Sequence, residues 1–379
     1  MNMKIGLFTW FDNENYGSAL QAYALKRILQ NYGSCTIVPY KTQHGGNKYL
    51  HFLLANNLLD TYRIISDKVT KILNPSIKKD LACKRTRFVS FIRNELNIES
   101  TILKEYELKD YVTRFNRVVC GSDQIWNPCK YDPNFLLACV PSEICKIAYA
   151  PSFGVSKLCI EDEILDSYKR YISRFDFLSS REPEGVSIIK EIACRESKLV
   201  CDPCALFDMD QWNEIIGIER YDTDSYVLSL FLTPNSRYLD KSVKISGKLQ
   251  AEPRLLAYNC CDYLTNIRLE KNLGPFDFIK AIRDAKFVCT DSFHATLFAI
   301  LFHKPFITFS RFSQKSLYSQ NSRIHNLLQS TNLLDRLDAD INDPQIATCD
   351  FVNADKYFEN ARKESLNYLE NAICYGKKL

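Results

Sequence analysis

The chain has 379 residues, 46% of them hydrophobic and 25% charged, and its 49 Lys and Arg against 45 Asp and Glu leave a formal charge of +4. That length points to two domains rather than one, and the composition is that of a globular protein rather than a disordered one. A charge this small gives no argument for nucleic acid as a partner, and no run of about eighteen apolar residues suggests a membrane span.

Lys4–Trp10 reads as a strand, Phe11–Gly17 as a polar loop and Ser18–Gln30 as a helix with Leu20, Tyr23, Ala24 and Ile28 on one face. Residues 1–40 therefore form an opening β-α-β, but no Gly-x-Gly-x-x-Gly is present, so a dinucleotide fingerprint is absent. Residues 44–110 are expected to be helical after a loop at His44-Gly45-Gly46. Within them Lys78, Lys79, Lys84, Arg85, Arg87 and Arg93 interleave with Phe88, Phe91 and Ile92. The plain reading is a solvated helix face; the sharper one is contact with an anionic membrane surface or a lipid-linked diphosphate.

Four further strands follow, each ending in a polar turn. Arg117–Cys120 ends at Gly121-Ser122-Asp123, and Lys146–Ala150 at Pro151-Ser152-Phe153-Gly154. Phe175–Leu178 ends at Ser179-Ser180-Arg181-Glu182, and Leu199–Cys201 at Asp202-Pro203. Asp162–Arg174 and Glu184–Ala193 are helices between them, and the polar stretch Asp208–Asp224 reads as a linker. A second series has strands at Tyr226–Leu232 and Leu255–Tyr258, a helix at Phe276–Ala285, a helical Ile324–Leu328 and a final amphipathic helix at Ala354–Ile373. Repeated strand-then-turn alternation implies parallel sheets covered by helices.

Residues 286–310 are the most informative stretch. Phe287–Cys289 is a strand, Thr290-Asp291-Ser292 a turn with an N-cap, Phe293–Phe302 an apolar helix, and Pro305 precedes the strand Phe306–Phe309. Ligands of parallel α/β sheets bind where strands end and helices begin, and a helix N-terminus favours an anion. Asp291, Ser292 and His294 sit at that place, although Asp291 and Ser292 could also do no more than cap the helix.

These pieces together resemble the polysaccharide pyruvyl transferase family. The matching blocks are Asn15–Leu25, Val118–Pro128, Ala148–Gly154, Ser179–Glu182, Cys201–Pro203, Asp291–Ala295 with Lys304–Phe306, and Ser322–Ile324. The resemblance implies an α/β fold of two Rossmann-like parallel-sheet domains facing a cleft, as in GT-B glycosyltransferases. The expected divisions are 1–207, 208–350 and a terminal helix, 351–379, that packs back on the first domain. The implied reaction moves the pyruvyl group of phosphoenolpyruvate onto a hexose, galactose by preference, of a lipid-linked polysaccharide precursor, giving a pyruvate ketal.

In that reading His294 is the acid or base, Asp291 or Asp123 acts as base or orients it, and Arg181, Asn15, Gly17, Ser292 and Ser152 bind the donor. Some members carry an Arg two residues before the motif His. Here that position is Ser292, so phosphate binding must fall to another cation.

Each residue has a plainer reading. Arg181-Glu182 could be a surface ion pair, Asp123 a turn residue, Trp126 a core residue and His325 a helix-surface residue. His303 is given no role.

The 15 Cys are odd in number, and Met1–Lys4 leads into the first strand without a secretory leader's apolar core, so reduced thiols in a cytoplasmic protein are expected. Peripheral contact with the inner membrane face follows from a lipid-linked acceptor. Cys201-x-x-Cys204 has half of a metal spacing, and no second pair completes it, so no metal and no cofactor is expected. Two rivals remain: a nucleotide-sugar glycosyltransferase of the same architecture, marked by a nucleotide site in the second domain, and a non-catalytic binding module of a capsule-assembly complex, marked by binding without turnover.

Overall fold

The computed structural model of the chain describes residues 3–12, 14–42, 70, 75–98, 101–311 and 321–374. The first unit runs β1 (Lys4–Phe8), α1 (Tyr16–Leu29), β2 (Ser34–Ile37), α2 (Pro75–Asn94), α3 (Glu105–Tyr111), β3 (Arg117–Cys120) and β4 (Cys145–Ala148). Its sheet has the order β2-β1-β3-β4 and is parallel throughout. α4 (Asp162–Ile172), β5 (Ser179–Ser180), α5 (Pro183–Ala193) and β6 (Lys198–Leu199) continue the series. β5 and β6 pair with each other, and a bridge between Ile147 and Phe177 ties them to β4.

α6 (Met209–Ile216) leads into the second unit. This runs β7 (Tyr226–Leu230), α7 (Ser236–Lys248), β8 (Glu252–Leu256), β9 (Arg268–Glu270), α8 (Pro275–Asp284), β10 (Phe287–Thr290), α9 (Phe293–Leu301) and β11 (Phe306–Thr308). The sheet order is β11-β10-β7-β8-β9, again all parallel. α10 (Asn321–Ser330) and α11 (Val352–Cys374) complete the chain's described elements. The strands read as short apolar runs because helices cover parallel sheets on both faces. Val118, Val119, Val227, Leu228, Val288 and Cys289 are each 0–1% exposed.

α1 lies where the units meet, and every residue of it but Arg27 is buried. Tyr16 stacks on Phe278 of α8 at 4.7 Å, and Tyr23 approaches Trp212 of α6 at 6.4 Å. One apolar cluster runs from Leu7 and Leu20 of the first unit to Leu230 and Phe298 of the second. α11 returns to the first unit: Tyr368 donates to the Ala148 carbonyl at 2.8 Å, Ser365 Oγ accepts from the Cys201 N–H at 3.0 Å, and Arg362 donates to the Ala205 carbonyl at 3.1 Å.

Several expectations need correction. Asp208–Asp224 is not a plain linker. Asp208 and Gln211 form a capping box that starts α6, and α6 buries Trp212 and Ile216 against the core. The strand expected at Phe175–Leu178 is the two-residue β5 further on, and that at Leu199–Cys201 is β6. α7 and β9 were not anticipated. α7 buries only Ser242, Ile245 and Ser246 and so carries little apolar signal.

The basic face of α2 is mostly solvated, as its plain reading expects, with three of its six cations engaged. Lys84 is buried, Arg85 pairs with Glu14 at 2.6 Å, and Arg87 pairs with Asp277 of α8 at 2.9 Å. Lys78, Lys79 and Arg93 remain exposed. The expected loop at His44-Gly45-Gly46 and the stretches 47–69 and 71–74 that follow it lie outside the described residues. Among the described residues no helix is long and apolar enough to cross a membrane.

Candidate active site

The polar turns after β1, β3, β5, β6 and β10 converge at the carboxyl ends of the two sheets, where ligands of such folds bind. Asp202 lies at the centre. Its Oδ1 caps the short turn Pro203–Leu206 by accepting the Cys204 N–H at 2.9 Å. Its Oδ2 accepts from Arg181 Nη1 at 2.6 Å and lies 3.5 Å from His294 Nε2. Burial opposes its ionisation, but the neighbouring His294 and Arg181 outweigh that and hold its carboxyl well below the usual range.

Arg181, just after β5, is enclosed by three carboxylates. Besides Asp202, its Nε donates to Glu182 at 3.0 Å, and Asp123 Oδ1 lies 3.9 Å from Nη2. Its guanidinium lies over the Phe293 ring at 4.7 Å. Burial works against its charge, and Glu182, Asp202 and Asp123 more than restore it. The Arg181-Glu182 pair is therefore a buried one, not a surface one. Asp123 adopts left-handed backbone (φ 65°), which Asp tolerates better than most residues. It accepts from Ser18 Oγ at 2.5 Å. Burial raises its pKa, but Arg181, His294 and Ser18 lower it by more, so Asp123 stays a carboxylate.

His294 occupies the first turn of α9 and is 7% exposed. A Cβ built on Gly17 would overlap His294 Nδ1, so Gly17 is the residue that lets the imidazole lie against the start of α1. The ring is thus positioned by Gly17 of the first unit on one side and Asp202 on the other. His294 Nε2 and Arg181 Nη2 are both buried without a hydrogen-bond partner, as polar atoms in proteins rarely are.

Other expected residues fall differently. Asn15 is half-buried, and its Oδ1 caps α1 by accepting the Ser18 N–H at 3.1 Å. Ser292 caps α9, accepting the Ala295 N–H at 3.5 Å. Ser152 is 0% exposed and accepts the Gly154 N–H at 3.0 Å, so it shapes its loop and presents no surface to a donor.

Asp291 is 1% exposed and turns toward β7, accepting the N–H groups of Leu232 and Thr233 at 2.6 and 3.0 Å. Burial pushes its pKa up. It braces the loop after β7 and does not orient His294. Trp126 is core, donating to the Phe135 carbonyl at 3.0 Å, and His325 is exposed on α10. His303 pairs with Asp355 at 2.7 Å, joining the turn after α9 to α11.

Asp202, Cys204 and His294 bring a carboxylate oxygen, a sulfur and a ring nitrogen within 4.8 Å of one another. Sequence spacing could not show this cluster. Its donor set suits a cation poorly, because Arg181 already holds the Asp202 oxygen and burial pushes the Cys204 thiol well up. Sequence reasoning also passed over Ser18, Asp202 and Arg323, although each lies in a block quoted above. Arg323, in the first turn of α10, is 8% exposed, with its guanidinium 5.9 Å from the Phe293 ring. Beside the cluster is a pocket with about 510 Å³ of empty volume, open to solvent, whose lining includes Arg181, Glu182, Phe293, Arg323, Asn326 and Tyr357.

The fold is shared with solved structures of low sequence identity. The UDP-GlcNAc 2-epimerase from Methanocaldococcus jannaschii superposes with a TM-score of 0.51 at 11% identity, covering 99% of this chain and 100% of that one. The UDP-GlcNAc 2-epimerase from Neisseria meningitidis bound to UDP-GlcNAc gives 0.51 at 10%, covering 97% and 99%. The S. aureus MnaA–UDP co-structure gives 0.53 at 9%, covering 100% and 98%.

These likenesses establish a GT-B-like architecture and nothing about substrate. No curated protein matches the chain. The sequence model of the family described as polysaccharide pyruvyl transferase matches residues 15–313, a span that takes in Gly17, Asp123, Arg181, Asp202 and His294. The chain belongs to the polysaccharide pyruvyl transferase family.

Proposed function

We propose that the protein transfers the pyruvyl group of phosphoenolpyruvate to a hexose, galactose by preference, of a lipid-linked polysaccharide precursor. The observation that carries this reading is the convergence of His294 and Arg181 on one buried carboxylate, Asp202, at the carboxyl ends of the strands.

Ketal formation requires protonation of the donor's methylene carbon, which leaves an oxocarbenium-like centre. One sugar hydroxyl adds there, a second replaces the phosphate, and both hydroxyl protons must be taken up. His294 is suited to this proton traffic, with Asp202 and Gly17 fixing its orientation. Arg181 Nη2 is a donor available to the carboxylate or phosphate of the substrate. Asp123, held ionised, is the second candidate base. In this reading the acceptor approaches from the inner membrane face, and the protein acts in the cytoplasm, in capsule or exopolysaccharide synthesis.

The test is His294→Asn, measured for melting temperature and single-turnover rate on one preparation with phosphoenolpyruvate and lipid-linked galactosides. Turnover should fall by roughly 10²–10⁴-fold with the melting temperature held. Near-normal turnover would remove His294 from the chemistry. Calorimetry should show phosphoenolpyruvate binding more tightly than any nucleotide sugar; tighter binding of a UDP- or CMP-sugar would select the glycosyltransferase reading instead.

A further inference from the structure

A helix buried on nearly every side has little solvated face for polar residues, so those it carries need partners within the fold. α1 is such a helix, and Ser18 and Gln21, three residues apart and so on one face, are 4% and 0% exposed. Both meet the turn after β3.

Gln21 holds the backbone of that turn. Its amide donates to Thr9 Oγ1, just after β1, at 2.9 Å and to the Ser18 carbonyl at 2.8 Å, and its Oε1 accepts the Ser122 N–H at 3.0 Å. On the other side of Asp123 the Asp123 carbonyl accepts the Ser152 N–H at 2.8 Å. The backbone is thus held on both sides of Asp123, which leaves rotation of the carboxylate as the freedom still to be fixed.

Ser18 fixes it. Its Oγ donates to Asp123 Oδ2 at 2.5 Å, and because a carboxylate can only accept, the hydroxyl proton belongs to Ser18. Oδ1 then lies 3.9 Å from Arg181 Nη2, too far for a hydrogen bond, and Nη2 has no partner elsewhere. Opposite charges this close pair when either can turn. Arg181 cannot, since Glu182 and Asp202 hold its Nε and Nη1. Asp123 is kept from doing so by the bond from Ser18.

We propose that Ser18 is a positioning residue for the reaction: by holding Asp123 Oδ2 it keeps Oδ1 and Arg181 Nη2 apart, so that Oδ1 is left for a substrate hydroxyl and Nη2 for a substrate anion. The inference rests on the proposed function in naming those two occupants. In that reaction the acceptor hydroxyl's O–H bond breaks, its proton passes to Oδ1, and its oxygen bonds to the donor carbon. Asp123 is also faced by Arg181, by His294 from α9 and by Arg323 from α10, which favour its charged form, and it acts in turn on Lys130 of its own loop and on Cys204. Those charges keep Asp123 ionised, and Ser18 sets which oxygen is presented. Gly17 and Ser18, adjacent in the first turn of α1, thus place His294 and Asp123 respectively.

The test is a kinetic double-mutant cycle on the full chain with phosphoenolpyruvate and lipid-linked galactosides. It compares wild type, Ser18→Ala, Asp123→Asn and the double variant, with Ser18→Thr as the conservative rescue and melting temperature as the fold check. Ser18→Ala should lower kcat about tenfold or more, the scale of a charged hydrogen bond, and Ser18→Thr should restore most of it. In the Asp123→Asn background the loss caused by Ser18→Ala should nearly vanish, because Ser18 acts through Asp123. A merely structural serine would lower the melting temperature and cost the same factor in both backgrounds. Ser18→Ala removes only a hydroxyl, so it decides even where the added methyl of Ser18→Thr fits poorly. A folded Ser18→Ala with kcat within about twofold of wild type, or a loss undiminished in the Asp123→Asn background, would overturn the proposal.

The two readings fail separately. If wild type turns over phosphoenolpyruvate and the cycle is additive, the donor assignment stands and the role of Ser18 falls. If wild type does not turn it over, the donor assignment falls, and the same four variants are compared by chemical denaturation. There a double variant that loses less than the sum of the single losses supports the brace, and additive losses overturn it.

Discussion

Two buried arginines, Arg181 with three acids around it and Arg254 with four, look alike by burial and by their carboxylate surroundings, yet their donors are used differently. Arg254 on β8 is 0% exposed. It donates from Nε to Glu252 at 2.7 Å, from Nη1 to Asp222 at 2.7 Å and Glu270 at 3.2 Å, and from Nη2 to Asp224 at 3.4 Å. Tyr226 covers its face at 4.4 Å. Asp222 and Asp224 precede β7, so this network draws partners from the amino-terminal side of the second sheet, away from the turns that carry His294 and Arg181.

At Arg181, Nε and Nη1 are bonded and Nη2 is not. A guanidinium whose nitrogens all have carboxylate partners ties a fold together. One that leaves a buried donor open carries a cost that a ligand can recover. Counting acids around an arginine therefore separates nothing, whereas counting its open donors does.

The comparison can be broken by substitution. The largest effect is expected at Arg254. Arg254→Ala removes the buried cation and leaves Asp222, Asp224, Glu252 and Glu270 to the more exposed Arg268; breaking a buried ion pair costs about 3 kcal/mol at the low end of its range, which suits acids that partly reach solvent. Chemical denaturation should show a loss of that size, with turnover per folded molecule unchanged. A loss of turnover at intact stability would place Arg254 in the wrong class.

Next is Arg181→Lys. It keeps the charge inside the carboxylate cage but not the forked donor, so donor affinity should fall by about 1.5–3 kcal/mol while the melting temperature changes little. The reverse outcome, stability lost and apparent donor affinity kept, would make Arg181 a second Arg254.

The smallest effect concerns a third buried cation, Lys84, which belongs to neither class. Its ammonium lies 4.9 Å from the Tyr16 ring, 5.1 Å from Tyr258 and 5.9 Å from Phe88, and burial pushes it down to about 8 from 10.5. Between those values the unfolded chain binds the proton and the folded chain does not, so the contribution of Lys84 to stability rises with pH. Stability measured from pH 7 to 10 should rise in wild type relative to Lys84→Met. Parallel curves would show that the ammonium keeps its proton in the cage.

How far the site was legible depended on whether the signal was local. His294, Arg181, Asp123 and Gly17 were picked out because each sits in a polar turn after an apolar strand or at a helix start, features confined to a few residues. Their relations were not legible. That Gly17 makes room for His294, or that Asp202 joins His294 to Arg181, depends on how separate strand ends are brought together.

Asp291 shows the converse failure. Its place beside the motif histidine suggested catalysis, but a side chain at that turn can reach the neighbouring strand's loop, and its carboxylate goes to Leu232 and Thr233. The fold class was legible from strand-turn alternation. α6 was missed because a polar stretch hid the one large anchor, Trp212, that fixes it as a helix.

The absence of a Cβ at Gly17 also limits which substitutions the chain can accept. A residue with any side chain at position 17 displaces the imidazole at 294, while a smaller residue at 294 leaves a gap against α1. A side chain at position 17 is thus tied to the placement of residue 294, although 276 residues lie between them in the chain.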